Sequence, residues 1–227
     1  MHPAIAGSGN YYAWLFRTLA PRLGQRVLEI GPGWGQMQAL ITASGRTYRA
    51  VDTDPGVIEN LIEKNPAPPG SFICGDITEA ETAALFPPGS VDTLLLMNVL
   101  EHVENDTAFL AKLRALFPGC RLVLQVPAFP ALYGRMDKEA GHYRRYTAGS
   151  AAAALKAAGY AAQEIFYFNF VGAVTWFVSS RLAGFTLNSG ETGRAIRFND
   201  RFIVPLSFLV EPLTRRLAGQ SVIAVAR

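Results

Sequence analysis

Cysteine is scarce in this chain, and charge is thin. Of 227 residues only Cys74 and Cys120 are cysteine, too few for a disulfide framework. Both end apolar runs, so buried free thiols are expected. Charged residues make up 17%, with Lys+Arg at 21 against Asp+Glu at 18. No basic run exceeds two residues, and no aromatic–basic stacking platform is present, which argues against a nucleic-acid partner. Histidine occurs three times, at positions 2, 102 and 142, so few side chains can titrate near neutral pH. Met1-His2-Pro3-Ala4 lacks a basic region followed by an apolar stretch, so no signal peptide is expected. The longest apolar region, Ile165–Val178, is broken by Asn169, Gly172 and Thr175 and is short for a membrane span. These absences point to a cytoplasmic chain. Half of the residues are hydrophobic, ample for a core at this length.

The first two-thirds alternate short apolar runs with helical patterns. Strands are expected at Arg26–Ile30, Thr47–Val51, Ser71–Cys74, Val91–Met97 and Arg121–Val126. The near-continuous apolar fourth run suits a strand covered on both faces. Between them fall a helix through about Ala43, one opened by Asp54-Pro55, and one bearing Phe109, Leu113, Leu116 and Phe117, stopped by Pro118-Gly119. Helical Thr147–Ala158 ends at Gly159, and Tyr160–Phe168 and Ser221–Arg227 read as two further strands. The alternation predicts an α/β fold, a doubly wound, mostly parallel sheet, in a single domain spanning 1–227. Within it lie a core at 26–126, a long connection at 127–146 and an insertion at 169–220. The connection, rich in Pro, Gly and aromatics, is of a length that is usually functional. The insertion mixes Trp176, Phe177, Phe185, Phe202 and Phe208 with several arginines and reads as two or more amphipathic helices forming a cap. Asn188–Gly193 reads as a mobile loop.

Gly31, Gly33 and Gly35 follow the first strand and open a helix. Glycines let the backbone turn sharply and approach a ligand without a β-carbon. A dinucleotide site wants G-x-G-x-x-G. Here the spacing is G-x-G-x-G, with Gln36 where the third glycine would fall. Glu29, just before the turn, disfavours a pyrophosphate and suits a cationic or zwitterionic ligand. Asp52 ends the second strand, where a carboxylate can accept from a ribose diol. Asp54 reads as a helix cap. Gly75-Asp76-Ile77 follows the third strand, where Asp76 could accept from an adenine amino group and Ile77 pack on the ring.

Together these pieces resemble the class I S-adenosylmethionine-dependent methyltransferases. The resemblance rests on LEIGPGWG (28–35), AVDTDP (50–55), GDI (75–77) and VDTLLLMNVLEHV (91–103), in order and each at a strand end. It implies a Rossmann-like seven-stranded sheet with a reversed final hairpin, and S-adenosyl-L-methionine as cofactor. By position, Glu29 and Gly31, Gly33 and Gly35 would hold the methionine end, and Asp52, with Thr53 beside it, the ribose. Asp76 and Ile77 would take the adenine, with Met97 and Asn98 beside the sulfonium-bearing chain. Downstream, VPA (126–128), LYG (132–134), Asp137 and GHYRRYT (141–147) resemble a bacterial branch of uncharacterised members.

Methyl transfer needs positioning and desolvation of the acceptor, and a base only if the acceptor must lose a proton. His142, in the long connection, is the first candidate for base or acceptor-orienting residue. His102, Tyr143, Tyr146 and Asp137 follow. Arg144 and Arg145 could pair with an anionic group on the acceptor. The site is expected to be metal-free. The run N-x-x-E-H with a later His is nevertheless similar to the E-x-x-E-H…H metal site of small-RNA 2′-O-methyltransferases and to quinone-precursor O-methyltransferases, which makes Glu101, His102 and His142 the residues a divalent cation would use. The apolar cap suits a small, hydrophobic or lipid-like acceptor, methylated at oxygen, and its arginines suit weak contact with a membrane surface. Competing readings are a nicotinamide-dependent oxidoreductase and a catalytically silent cofactor-binding protein.

Overall fold

The computed structural model describes residues 8–64, 67–178 and 197–227. Its frame is a seven-stranded sheet in the order β3-β2-β1-β4-β5-β7-β6. The strands are β1 (Arg26–Ile30), β2 (Thr47–Asp52), β3 (Phe72–Cys74), β4 (Thr93–Met97), β5 (Arg121–Pro127), β6 (Ala162–Phe168) and β7 (Ser221–Ala226). Strands β1 to β5 run parallel, and β7 runs antiparallel to both β5 and β6. This is the reversed final hairpin that the sequence resemblance implies.

Side chains alternate across the strands, so each sheet face receives its own core. Leu28, Leu94, Leu96, Leu122 and Leu124 pack on one face against Leu110 and Leu113 of α5 (Asp106–Leu116) and Leu155 of α7 (Ala148–Ala157). Val27, Leu95, Val123 and Ile223 face the other way. They meet Met37 and Ile41 of α2 (Gln36–Ala43), Ile58 and Leu61 of α3 (Pro55–Lys64), and Trp14, Leu15 and Leu19 of α1 (Gly9–Leu19). The cap expected at Asp54 is present, and Thr147, expected as the first helical residue, is instead a second cap. Asp54 accepts from the Gly56 amide, and Thr147 exchanges bonds reciprocally with Ser150 at the start of α7.

Several expectations need correction. Cys74 is exposed and Cys120 only half-buried, because Cys74 ends the edge strand β3. Residues 127–146 are not a structureless loop. They include a 3-10 turn at Pro130–Leu132 and the short helix α6 (Arg135–Glu139), and the isolated bridge Ala128–Tyr146 ties the segment's ends together. Short helix α4 (Ala80–Ala84) also lies between β3 and β4. The insertion places a π-helical turn at Asn199–Ile203 and α9 (Val204–Thr214) beside α1, and α8 (Phe170–Phe177) packs against both of them. Asn188–Gly193 lies outside the described residues.

Candidate active site

Strand order reverses beside β1. The chain proceeds outward to β2 and β3, then returns to add β4 on the opposite side. Ligands in open α/β sheets bind at the carboxyl ends of strands flanking such a switch. The three turn glycines all adopt positive φ, at +70°, +55° and +73° for Gly31, Gly33 and Gly35. At Gly31 a β-carbon would also stand 2.6 Å from Val99 Cγ2, and at Gly35 2.4 Å from Leu61 Cδ2. Sterics and backbone conformation therefore both demand glycine there.

Beside the turn opens a cavity of about 40 Å³, lined by Glu29, Gly31, Gly33, Met97 and Asn98, with Tyr11 and Tyr12 of α1 on another wall. Glu29 is 2% exposed and accepts a 2.6 Å hydrogen bond from the Tyr48 hydroxyl. Burial pushes its carboxyl up to about 8 despite that bond. Asn98 turns away from β4 with φ +54°. Asp52 accepts from the Asp54 amide and Asp76 from the Thr78 amide, which fixes both carboxylates at the ends of neighbouring strands. Burial raises the Asp52 carboxyl above its ordinary value. Thr53 is exposed. Ile77, assigned to the adenine ring by resemblance, is buried in the core of one sheet face.

The second cluster stands immediately beyond β4. The 3-10 turn Leu100–His102 follows the strand, so Glu101 lies no more than about 11 Å along the chain from Asn98. The 127–146 connection folds back onto this turn, with the Tyr143 amide donating to the Glu101 carbonyl at 2.8 Å. Thereby His142 meets His102, their rings 4.7 Å apart and nearly perpendicular. His142 Nδ1 lies 2.9 Å from Asp137 Oδ1. Asp137 also receives the Arg145 Nε at 2.7 Å and the Gly134 amide at 2.9 Å. Burial alone would raise the Asp137 carboxyl; the His142 and Arg145 bonds and the Arg145 charge outweigh it and hold it below the ordinary range. Burial, reinforced by His142, lowers the His102 imidazole.

Glu101 is fully buried, and neither carboxylate oxygen has a hydrogen-bond partner among the described residues. Burial pushes it up to about 8, although its own backbone amide and, less strongly, nearby Arg145 pull the other way. Glu101, His102 and His142 can each offer one ligand atom, all within 4.8 Å of one another.

The remaining candidates sit at the cluster's margin. Tyr146 is buried, its hydroxyl donating to Asp106 at 2.8 Å, and Tyr143 is exposed. The arginines correct an expectation. Arg145 is buried on Asp137 and Arg144 pairs with Asp106 at 2.9 Å, so internal carboxylates engage both. Sequence reasoning missed Tyr11, Tyr12 and Gln125 in the cavity wall. A signal for α1 existed in the helical spacing of Tyr12, Leu15, Phe16 and Leu19.

A sheet with this strand order, a glycine turn at its switch point and carboxylates at successive strand ends defines a Rossmann-like methyltransferase fold. Residues 10–165 match a family model described as "Methyltransferase domain"; the chain belongs to this family. It is 31% identical over 131 residues to an uncharacterized methyltransferase of Mycolicibacterium gilvum (strain PYR-GCK), covering 57% of this chain and 50% of that one. Over 102 residues it is 30% identical to the ubiquinone biosynthesis O-methyltransferase of Xanthomonas euvesicatoria pv. vesicatoria (strain 85-10), covering 44% and 42%. The chain thus spans about half the length of these curated relatives or less. A SAM-dependent methyltransferase from Archaeoglobus fulgidus superposes with TM-score 0.63 at 20% identity, covering 96% and 94% of the two chains. Membership of a methyltransferase family sets aside the nicotinamide reading. S-adenosylmethionine is the cofactor that accompanies this family and fold, and the glycine cradle with its buried carboxylate fits it.

Proposed function

We propose that the protein methylates an oxygen atom of a small, apolar acceptor, using S-adenosylmethionine. The observation that carries this reading is the Asp137–His142 pair, held beside buried Glu101 next to the glycine-turn cavity. Glu29 would hold the cofactor's ammonium, the Gly31–Gly35 turn its methionine backbone, Asp52 the ribose hydroxyls and Asp76 the adenine amino group. Met97 and Asn98 would flank the sulfonium. Bound there, the cofactor supplies a methyl group already activated on positive sulfur.

Asp137 fixes His142 with its Nδ1 proton directed at the carboxylate, which leaves Nε2 as an acceptor. His142 Nε2 would take the acceptor's hydroxyl proton, while the cofactor would supply the methyl group and leave as S-adenosylhomocysteine with the electron pair of the broken carbon–sulfur bond. Asp137 steadies the resulting imidazolium, and Arg145 holds Asp137 in place. Tyr146 supports the loop through Asp106.

Glu101 favours a second reading of the same site. A buried carboxylate without a partner, beside two imidazoles, suits a divalent cation, whose charge would favour the acceptor's oxyanion. The two readings compete for His142 Nε2, so they are separable. The protein is expected to bind S-adenosylhomocysteine and to methylate hydroxylated aromatics or lipids. His142→Ala should cut turnover at least tenfold with product affinity unchanged. Activity that survives EDTA supports the base; activity lost to EDTA and restored by Mg²⁺, Mn²⁺ or Zn²⁺ supports the cation. Absence of S-adenosylhomocysteine binding in calorimetry would end both.

A further inference from the structure

The insertion touches both halves of the site. On the acceptor side, the Trp176 ring of α8 lies 5.0 Å from the Arg145 guanidinium, which in turn binds Asp137. On the cofactor side the connection is Asp200, in the π-helical turn before α9. Its side chain is 8% exposed, and it reaches across the molecule to the start of α1.

Helix α1 needs such a partner. The first amides of a helix have no intrahelical acceptor. In α1 the cap residue Ser8 makes no side-chain bond, and the first turn holds no acidic residue. Asp200 supplies what is missing. Its Oδ2 accepts from the Asn10 amide at 3.1 Å and its Oδ1 from the Tyr11 amide at 2.8 Å, while Asn10 Nδ2 donates to the Asp200 carbonyl at 3.1 Å. Negative charge at that end also complements the helix dipole. A carboxylate 190 residues distant therefore anchors the turn that carries Tyr11 and Tyr12. Both tyrosines line the cavity with Glu29, and Gln125 Nε2 donates to the Tyr11 hydroxyl at 2.9 Å. Further along, Trp14 and Arg17 both lean on Phe208 of α9.

We infer that Asp200 is a positioning residue for the cofactor. It fixes the start of α1, and with it Tyr11 and Tyr12, over the cavity, so the cap sets cofactor affinity without touching the cofactor. The inference rests on the assignment of the glycine-turn cavity to S-adenosylmethionine.

The test is calorimetric affinity for S-adenosylhomocysteine, measured on the full chain well below each variant's melting temperature. Asp200→Ala is expected to weaken binding about tenfold, equivalent to about 1.4 kcal/mol. Asp200→Asn, which keeps an acceptor oxygen but loses the charge, should fall between it and the unaltered chain. Leu113→Ala serves as a destabilising control, since Leu113 of α5 is buried in the core of the other sheet face, away from α1. It should lower the melting temperature and leave affinity within twofold. Equal weakening by Leu113→Ala, or unchanged affinity in Asp200→Ala, would overturn the inference. Should Asp200→Ala fail to fold, Asp200→Asn decides it, with unchanged affinity the overturning result. Failure of the unaltered chain to bind would instead strike the assignment of the cavity.

Discussion

Glu29 carries two demands that pull against each other. Its place beside the glycine turn makes it the proposed partner for an ammonium group, yet burial holds it protonated up to about 8, against an ordinary value of 4.5. Between those values the folded protein binds a proton that the unfolded chain has released. Stability attributable to Glu29 therefore falls as pH rises from about 4.5 to 8 and is level above that. Glu101 behaves in the same sense over the same window. Glu29→Gln should match the unaltered protein's melting temperature near pH 5 and exceed it at pH 8. Binding of an ammonium requires the ionised carboxylate, so S-adenosylhomocysteine affinity should climb by up to about tenfold per pH unit below 8, and Glu29→Gln should flatten that slope. A pH-independent affinity in the unaltered chain would remove Glu29 from the ammonium's partners. The residue's position could be read in the sequence because it abuts the turn. Its buried bond to Tyr48 could not, since only the pairing of β1 with β2 brings them together.

The β1–turn–α2 unit was readable because its demands are local. Three glycines at positive φ and a helix start impose a spacing that few other structures require. Gly31→Ala should disturb this unit most directly. Positive φ costs a non-glycine residue roughly 1–2 kcal/mol, and the new methyl would collide with Val99, which leads into the Glu101 turn. Product affinity should fall by tenfold or more while circular dichroism stays native; unchanged affinity would show that the turn can relax. By contrast, α6 and α1 were not anticipated. Five residues make a helix too short for a periodic signal, and α6 survives because Asp137 is pinned at once by Gly134, His142 and Arg145. Helix α1 has an apolar face, but nothing in its own sequence completes its N-terminus.

Taken as a whole, the molecule is asymmetric in polarity. Phe202, Leu206, Leu209 and Leu213 recur at helical spacing along the outer side of the π-turn and α9, Leu217 follows in the turn beyond it, and all are exposed. Arg201 and Arg216 are exposed nearby, whereas Asp200 and Glu211 turn inward. Among the described residues no helix is long and apolar enough to cross a membrane; such a face suits lying on one. Co-sedimentation with phosphatidylglycerol vesicles is expected, weakening with salt and lost when Leu209→Glu and Leu213→Glu are combined. Salt-independent binding, or binding indifferent to those changes, would exclude this surface. The sequence by itself determined the sheet, the cofactor turn and the carboxylates at the strand ends, because backbone stereochemistry and hydrophobic period write those features into neighbouring residues. Only the tertiary structure decided that Asp137 meets His142, that Arg145 is buried against Asp137, and that Asp200 of the cap bonds the start of α1. Each joins side chains whose meeting depends on how separate segments pack, and no local pattern records the partner.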